Sequence, residues 1–300
     1  MRITDKILQN NFIANLAFSS ERLYEAETKV LTNKRINKPS DDPVGALISL
    51  TLRTRLSELN QYQRNIGRSK TMLQNTESSV AQLAEIFQRL TTLTIQGASD
   101  SYGPSDKLSI ASEVDQLVEQ IFNLANNRSE SIYTFAGTRN DVAPYQAERN
   151  ASGEIINVST AGSAGEISSL IGEKITIKVN INGEDLFESG ENLIEIAIKI
   201  RDDLRANATN ELSEDLNNLN DASEKIFNTQ SILGSRLNRI DAADTRAYND
   251  IISFTEFLSD TEDIDAPEAI MDYQLELLTL QASLQAGARL LHPKLVDFLR

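Results

Sequence analysis

The segment Arg35-Ile36-Asn37-Lys38-Pro39-Ser40-Asp41-Asp42-Pro43-Val44-Gly45 separates two long stretches of helical pattern. Pro39 and Pro43 each fix their own φ and push the preceding residue toward an extended conformation. Asp41 and Asp42 are residue types that cap helices, and Pro43 suits the first helical position. The segment therefore predicts a rigid turn that joins two helices at a defined angle. We expect this joint to depend on Asn37, Pro39, Asp41, Asp42, Pro43 and Gly45.

Apolar residues at helical spacing extend on both sides of this turn. They run through residues 3–33 before it and through residues 44–96 after it, and the second run is long enough to indicate a coiled-coil-like rod. A third helix is predicted from residue 105 to residue 126. The pattern returns at Leu193 and predicts one continuous helix to residue 254, and a terminal helix follows a break at residues 260–267.

The hydrophobic period changes between residues 132 and 189, where glycines also cluster. Asn182-Gly183 is a strong signal for a type I′ hairpin, and Ser152-Gly153 is a weaker turn signal. The alternating pattern predicts three short strands, at residues 133–135, 155–158 and 175–181.

These elements predict a mainly α-helical protein. It is a long antiparallel helical bundle or coiled-coil rod made from both chain ends, with a small inserted β domain at the far end and with the first and last helices packed together. The predicted domains are the terminal helices (1–35 and 266–300), a long helical bundle (36–137 and 191–265) and a β-rich outer domain (138–190).

The two terminal helices carry many polar residues in their apolar seams. As a pair they bury too little apolar area to offset an ordering entropy of roughly 1–2 kcal/mol per residue. We therefore expect them to be disordered in the monomer and to fold against neighbouring copies, the alternative being that they pack onto the long inner helices. The residues expected to carry assembly and chaperone binding are Leu8, Phe12, Leu16, Leu23, Leu277, Leu280, Leu284 and Leu291.

Composition excludes several classes of function. The 300 residues carry a formal net charge of −15, so binding to nucleic acid or to an anionic membrane is disfavoured by like charge. Cysteine is absent, which excludes disulfides and cysteine-ligated metals. The N-terminus shows no apolar segment typical of a cleavable signal, and no stretch is apolar for the ~18 residues that a membrane span needs.

Enzymatic chemistry finds little support in the sequence. Asp41 and Asp42 could ligate a cation or act as an acid/base pair, but neighbouring side chains on a capping turn point in different directions, and helix capping is favoured. His292 is the single histidine and has no serine or aspartate constellation around it. Residues 162–165 are not a phosphate loop, because no Gly-Lys-Ser/Thr follows. We therefore expect no catalytic residues, no cofactor and no metal.

Four segments resemble the bacterial flagellin family. The turn from Arg35 to Gly45 is similar to its most recognisable segment, and Met1–Thr4 resembles its amino terminus. Leu233–Ile240 resembles the matching segment of its carboxy-terminal half. Tyr133–Arg139 is similar to the hook-associated members of the family more than to its filament flagellins. The resemblance covers residues 1–140 and 190–300 and hardly touches the β insert.

The resemblance implies a structural role outside the cell, in the bacterial flagellum at the boundary between hook and filament. It implies terminal helices that form an inner tube, and export through the type III apparatus without a cleaved signal. The implied partners are copies of the chain itself, a neighbouring hook-associated protein, filament flagellin, and a cytoplasmic export chaperone on the last helix, about Ala269–Leu291. The alternatives are a short filament flagellin and, more distantly, a cytosolic coiled-coil interaction protein.

Overall fold

The computed structural model describes residues 5–129, 132–139, 141–162, 164–188, 190 and 192–290. The chain is mainly helical, as predicted. Its helices and strands follow in the order α1 (Asp5–Thr32), α2 (Pro43–Ala98), α3 (Pro104–Ala125), β1 (Arg128–Ser129), β2 (Ile132–Tyr133), β3 (Tyr145–Arg149), β4 (Ile155–Thr160), β5 (Ser168–Gly172), β6 (Ile175–Lys178), a π-helical turn (Glu184–Glu188), α4 (Leu193–Ala206), α5 (Thr209–Glu262) and α6 (Ala266–Leu290).

The chain divides into two compact units. The inner unit is Leu59–Asn249, and the terminal unit combines Met1–Glu58 with Asp250–Arg300, of which residues 5–58 and 250–290 are described. The division falls within α2 and α5, so each of these helices contributes to both units.

A seven-residue repeat organises the core of the inner unit. Its period is that of left-handed coiled coils. Lys70 lies 2.7 Å from Asp241, and Gly97 lies against Leu212, so α2 and α5 run antiparallel here. The buried positions of the repeat are Leu59, Ile66, Leu73, Val80 and Phe87 in α2, and Leu212, Leu219, Ile226, Leu233 and Ile240 in α5.

The β region forms three separate two-stranded antiparallel sheets, β1–β2, β3–β4 and β5–β6. The turn between β3 and β4 contains Gly153 at φ +88°, a left-handed conformation that suits glycine and matches the predicted Ser152-Gly153 turn. The turn between β5 and β6 contains Lys174 at φ +57°.

The prediction of a hairpin at Asn182-Gly183 is wrong. The chain enters the π-helical turn instead, and the Asn182 carbonyl accepts a hydrogen bond from the Leu186 N–H at 3.2 Å. Leu186 and Phe187 are fully buried. A helical turn lets both neighbours pack into the same core, whereas successive side chains of a strand point to opposite faces, so tertiary packing overrides the local turn preference here.

The prediction of one continuous helix from Leu193 is also wrong. The helix α4 ends at Ala206, and Asn207 adopts a left-handed conformation at φ +55° before α5 begins at Thr209. This is a common way to end a helix, and asparagine tolerates it. The corner lets the buried face of α4 pack against α3 while α5 joins the long seam.

The β region lies along the side of the inner helices and not at their far end. The Asn65 side chain of α2 donates to the Leu170 carbonyl of β5 at 2.9 Å, and Arg236 of α5 donates to the Asn180 carbonyl at 3.0 Å. Ile177 is buried in the same core cluster as the helices. The hairpins carry too few apolar residues for a core of their own, so they complete their burial on the helical side.

In the terminal unit, α1 packs against α6, as predicted for the first and last helices. The Phe12 ring lies so close to Gly287 that no side chain would fit there, and Arg22 lies 3.4 Å from Glu276. These contacts make α1 and α6 antiparallel. Within the described part of the chain, no helix is long and apolar enough to cross a membrane.

Candidate assembly site: the turn and the terminal helices

The turn between α1 and α2 is folded around the Asp41 carboxylate. Its Oδ2 accepts the backbone N–H of Asn37 at 3.0 Å and of Lys38 at 2.8 Å. The hydrogen bond from Lys38, followed by that from Asn37, lowers the pKa of Asp41. The Asn37 side chain in turn donates to the Lys34 carbonyl at 2.8 Å, while Pro39 is exposed. Asp41 therefore closes the turn and does not point to a ligand.

Asp42 caps the start of α2. Its Oδ1 accepts the Gly45 N–H at 2.9 Å, and Pro43 occupies the first helical position. The hydrogen bond from Gly45 lowers the pKa of Asp42. A Cβ at Gly45 would lie 2.5 Å from Asp42 Oδ2 and 2.6 Å from Ile36 Cδ1, so this position accepts only glycine without movement.

The turn is anchored to the end of α5. The Arg35 N–H donates to the Glu262 carbonyl at 2.6 Å, and its guanidinium donates to the Thr261 carbonyl at 2.8 Å. Lys34 and Asp263 form an isolated antiparallel β-bridge. The turn that begins α2 and the break that precedes α6 therefore hold each other in place.

Glu262 forms the charged centre of this anchor. Its carboxylate is bonded by Lys34 Nζ at 2.5 Å and by Arg53 at 2.6 Å, and the residue is only 5% exposed. Burial acts to raise the pKa of Glu262, but the hydrogen bonds from Lys34 and Arg53 outweigh it and the pKa is lowered. Sequence reasoning missed Glu262. The signal available in the sequence was the basic pair Lys34-Arg35 before the first turn and the acidic pair Glu262-Asp263 at the break before α6.

The structure places most of the predicted assembly residues on the paired faces of α1 and α6. Side chains at Phe12, Leu16, Leu23, Leu277 and Leu280 are half-buried, and Leu284 is exposed. The side chain of Leu8 and the whole of Leu291 lie outside the described residues, as does His292. The predicted residues thus describe the α1–α6 pair more than its outer surface.

Other large apolar side chains of the terminal unit are exposed, and sequence reasoning did not single them out. Met271, Leu275 and Leu278 follow i, i+4, i+7 spacing on the face of α6 opposite Gly287 and Leu280, so α6 is apolar on two faces. The remaining exposed apolar residues include Ile13, Phe18, Tyr24 and Leu31 on α1, and Val44, Leu47, Ile48 and Leu50 on the first turns of α2.

The terminal unit has almost no apolar core. Among the described residues, Ala269 is its one buried hydrophobic residue, whereas the inner unit supplies all the others. The described residues also contain no group of three or more histidine or acidic side chains able to hold a metal ion. The arrangement offers apolar contact surface and an ion-paired anchor.

The sequence resembles flagellar proteins along its whole length. Residues 3–140 match the family model for the bacterial flagellin N-terminal helical region. The chain is 24% identical over 305 residues to flagellar hook-associated protein 3 of Escherichia coli (strain K12), covering 95% of this chain and 96% of the relative. It is 32% identical over 126 residues to a flagellin of Clostridium tyrobutyricum, but this match spans only 42% of the chain and 33% of that flagellin.

The fold also has a solved counterpart. A putative flagellar hook-associated protein from Vibrio parahaemolyticus superposes with a TM-score of 0.66 at 21% identity, covering 74% of this chain and 100% of the other. The family and its structural neighbours are flagellar structural proteins and not enzymes.

Proposed function

This chain belongs to the bacterial flagellin family, and on that basis we propose that it is a structural subunit that joins the hook to the flagellar filament. The match to hook-associated protein 3, which spans 96% of that relative, supports this position over that of a filament flagellin.

One observation carries the proposal: the terminal unit exposes large apolar side chains on α1, α6 and the start of α2 while it buries almost none. Burying one such side chain contributes about 1.5–3 kcal/mol. Large apolar side chains exposed in such numbers mark interaction sites. The surface suits packing against the same helices of neighbouring copies, against an adjoining hook-associated protein and against filament flagellin.

The turn supports this assembly as a joint. Asp41 and Asp42 close it with hydrogen bonds, and Glu262 ties it to the end of α5. Regular stacking of many copies needs the same angle in every subunit. A joint held by hydrogen bonds and a buried ion pair supplies that angle better than a loose linker would.

The outer face of α6 also fits a cytoplasmic chaperone before export. Its exposed residues Met271, Leu275 and Leu278 form an apolar stripe of the kind that a hydrophobic groove of a partner protein covers. We expect export through the flagellar route without cleavage of a leader. A terminal peptide of the exported protein that still starts at residue 1 or 2 would support this route, and a trimmed one would contradict it.

Immunogold labelling of isolated flagella tests the position. We expect gold confined to the boundary between hook and filament. Labelling along the filament would instead make the chain a short filament flagellin. Flagella without any label, from cells that produce the protein, would exclude both roles and favour a cytosolic coiled-coil interaction protein.

A further inference from the structure

Two carboxyl groups meet at the corner between α4 and α5. Asp203 lies in the last turn of α4, and Asp215 lies in the second turn of α5 and is fully buried. Their side chains are within hydrogen-bonding reach of each other. Asp203 Oδ2 and Asp215 Oδ2 are both buried, and neither accepts a hydrogen bond from a donor group of the described chain.

Two carboxylates in contact, each with one oxygen buried, are unfavourable because like charges repel strongly where water is excluded. One proton removes the conflict, since the protonated group donates to the other and satisfies both oxygens. This explains why two buried acceptors are tolerated without any other donor.

The surrounding charges indicate where the proton resides. Lys199 Nζ lies 2.7 Å from Asp215 Oδ1, so the neighbouring positive charge is on the Asp215 side of the pair. Asp203 instead lies at the negative end of the α4 dipole, with the acidic Glu211 nearby. From α3, Lys107 faces the corner, but its Nζ is bound to the Thr209 hydroxyl at 2.9 Å. Burial, together with the neighbouring Asp215, raises the pKa of Asp203 to about 6.

We infer that Asp203 and Asp215 share one proton and make the α4–α5 corner a pH-sensitive lock. With the proton in place, the two helices are joined by a short hydrogen bond between carboxyls. When the proton leaves, the same pair repels and the corner loosens. This inference does not depend on the proposed role in the flagellum.

The lock acts on the residues that end α4. The carbonyl of Asp203 accepts the Ala208 N–H at 3.0 Å, and the left-handed Asn207 makes the corner itself. Movement of Asp203 would therefore weaken the hydrogen bond that ends α4. Amide exchange at Asn207 and Ala208 is expected to quicken as the pair ionises.

A comparison of the full-length wild type with Asp203→Asn tests the lock. The asparagine is uncharged and can donate to Asp215, so it imitates the protonated pair at every pH. Because folding raises the pKa of Asp203, its stabilising contribution is present at acid pH and is lost as the pH rises through about 6. The unfolding constant of the wild type, divided by that of the variant, is expected to rise about tenfold between pH 5 and pH 7.5.

Urea unfolding followed by circular dichroism measures this ratio, with Asp221→Asn, an exposed aspartate on α5, as the matched control. A constant ratio for Asp203→Asn, or the same rise for Asp221→Asn, would overturn the inference.

Two further measurements examine the pair itself. If calcium restores wild-type stability at pH 7.5 and a chelator reverses that effect, a cation and not a proton bridges the two carboxyls. Should Asp203→Asn fail to fold, the carbon-13 shift of the wild-type Asp203 carboxyl decides: a midpoint above pH 5 supports the lock, and an ordinary midpoint near 3.8 refutes it.

Discussion

Glu262 joins parts of the chain that lie more than two hundred positions apart in the sequence. It is bonded by Lys34 before the turn and by Arg53 within α2, while its carbonyl accepts the Arg35 N–H. A buried carboxylate is unfavourable alone, but two charge-assisted hydrogen bonds offset its desolvation. The anchor of the turn therefore depends on one side chain that neither α1 nor α2 supplies.

We expect Glu262→Gln to lower the free energy of opening the turn by about 2 kcal/mol, because Lys34 and Arg53 lose their shared counter-charge. Amide exchange of residues 33–45, measured by mass spectrometry, would become faster than in the wild type. The stabilising effect of Glu262 requires its ionised form, and folding lowers its pKa. It is therefore present above the ordinary carboxyl range and is lost as the pH falls through the lowered value. Glu256→Gln, an exposed change on the same helix, should leave this exchange unaltered.

Gly45 is the second residue that the turn requires. Gly45→Ala places a methyl group against Asp42 and Ile36, so we expect at least tenfold faster exchange in the turn, equivalent to ~1.4 kcal/mol. Gly67→Ala is the control, because a Cβ there meets nothing within 4 Å. That change should stabilise α2 by up to about 1 kcal/mol. Equal effects of the two substitutions would argue against the close approach at Gly45.

At the scale of the element, α6 has two apolar faces with different tasks. One face, with Gly287 under the Phe12 ring, pairs with α1. The opposite face, with Met271, Leu275 and Leu278, is exposed. A helix that is apolar on both sides is normally buried on both sides, so the outer face needs a cover, and the described residues do not provide one.

Leu278→Asp tests the outer face of α6. Since Leu278 is 61% exposed, the substitution should leave the folded monomer unchanged within about 0.5 kcal/mol yet abolish assembly and motility. Leu280→Asp should also abolish assembly and chaperone binding while leaving the inner unit folded, but by disturbing the α1–α6 pair. Gln274→Asp, an exposed polar change on α6, is the control. Normal motility of the Leu278 variant would exclude this face from the assembly.

At the scale of the whole molecule, apolar burial is unevenly distributed. The heptad seams of α2 and α5, with α3, α4 and the hairpins, form one continuous core in the inner unit. The terminal unit depends on a single helix pair and an ion-paired turn. Local stability follows local burial, so the two units should differ in their resistance to opening.

Limited proteolysis of the purified monomer measures that difference. We expect loss of about the first 35 and last 35 residues and survival of a stable middle fragment, because ends with little buried surface open most readily. Mass spectrometry of the fragments locates the cuts. Terminal segments that resist the protease as long as the inner unit does would contradict coupled folding and assembly.

Sequence alone was enough to predict the helical class, the positions of α1, α2 and α3, and the chemistry of the turn at residues 35–45. These features depend on local signals: seven-residue spacing, proline, and aspartates that cap backbone N–H groups. The Ser152-Gly153 turn was predictable for the same reason. Seven of the eight predicted assembly residues lie in α1 or α6, because apolar helical spacing is visible in sequence, while Leu291 lies outside the described residues.

The other features of the fold depend on tertiary packing. The π-helical turn at Glu184–Glu188, the corner at Asn207 and the position of the hairpins along α2 and α5 all result from burial against distant residues. Which face of α6 meets α1, and that Glu262 anchors the turn, likewise depend on contacts between the two ends of the chain. Such choices follow from long-range packing, whose free energy exceeds the local preferences and leaves no periodic trace in the sequence.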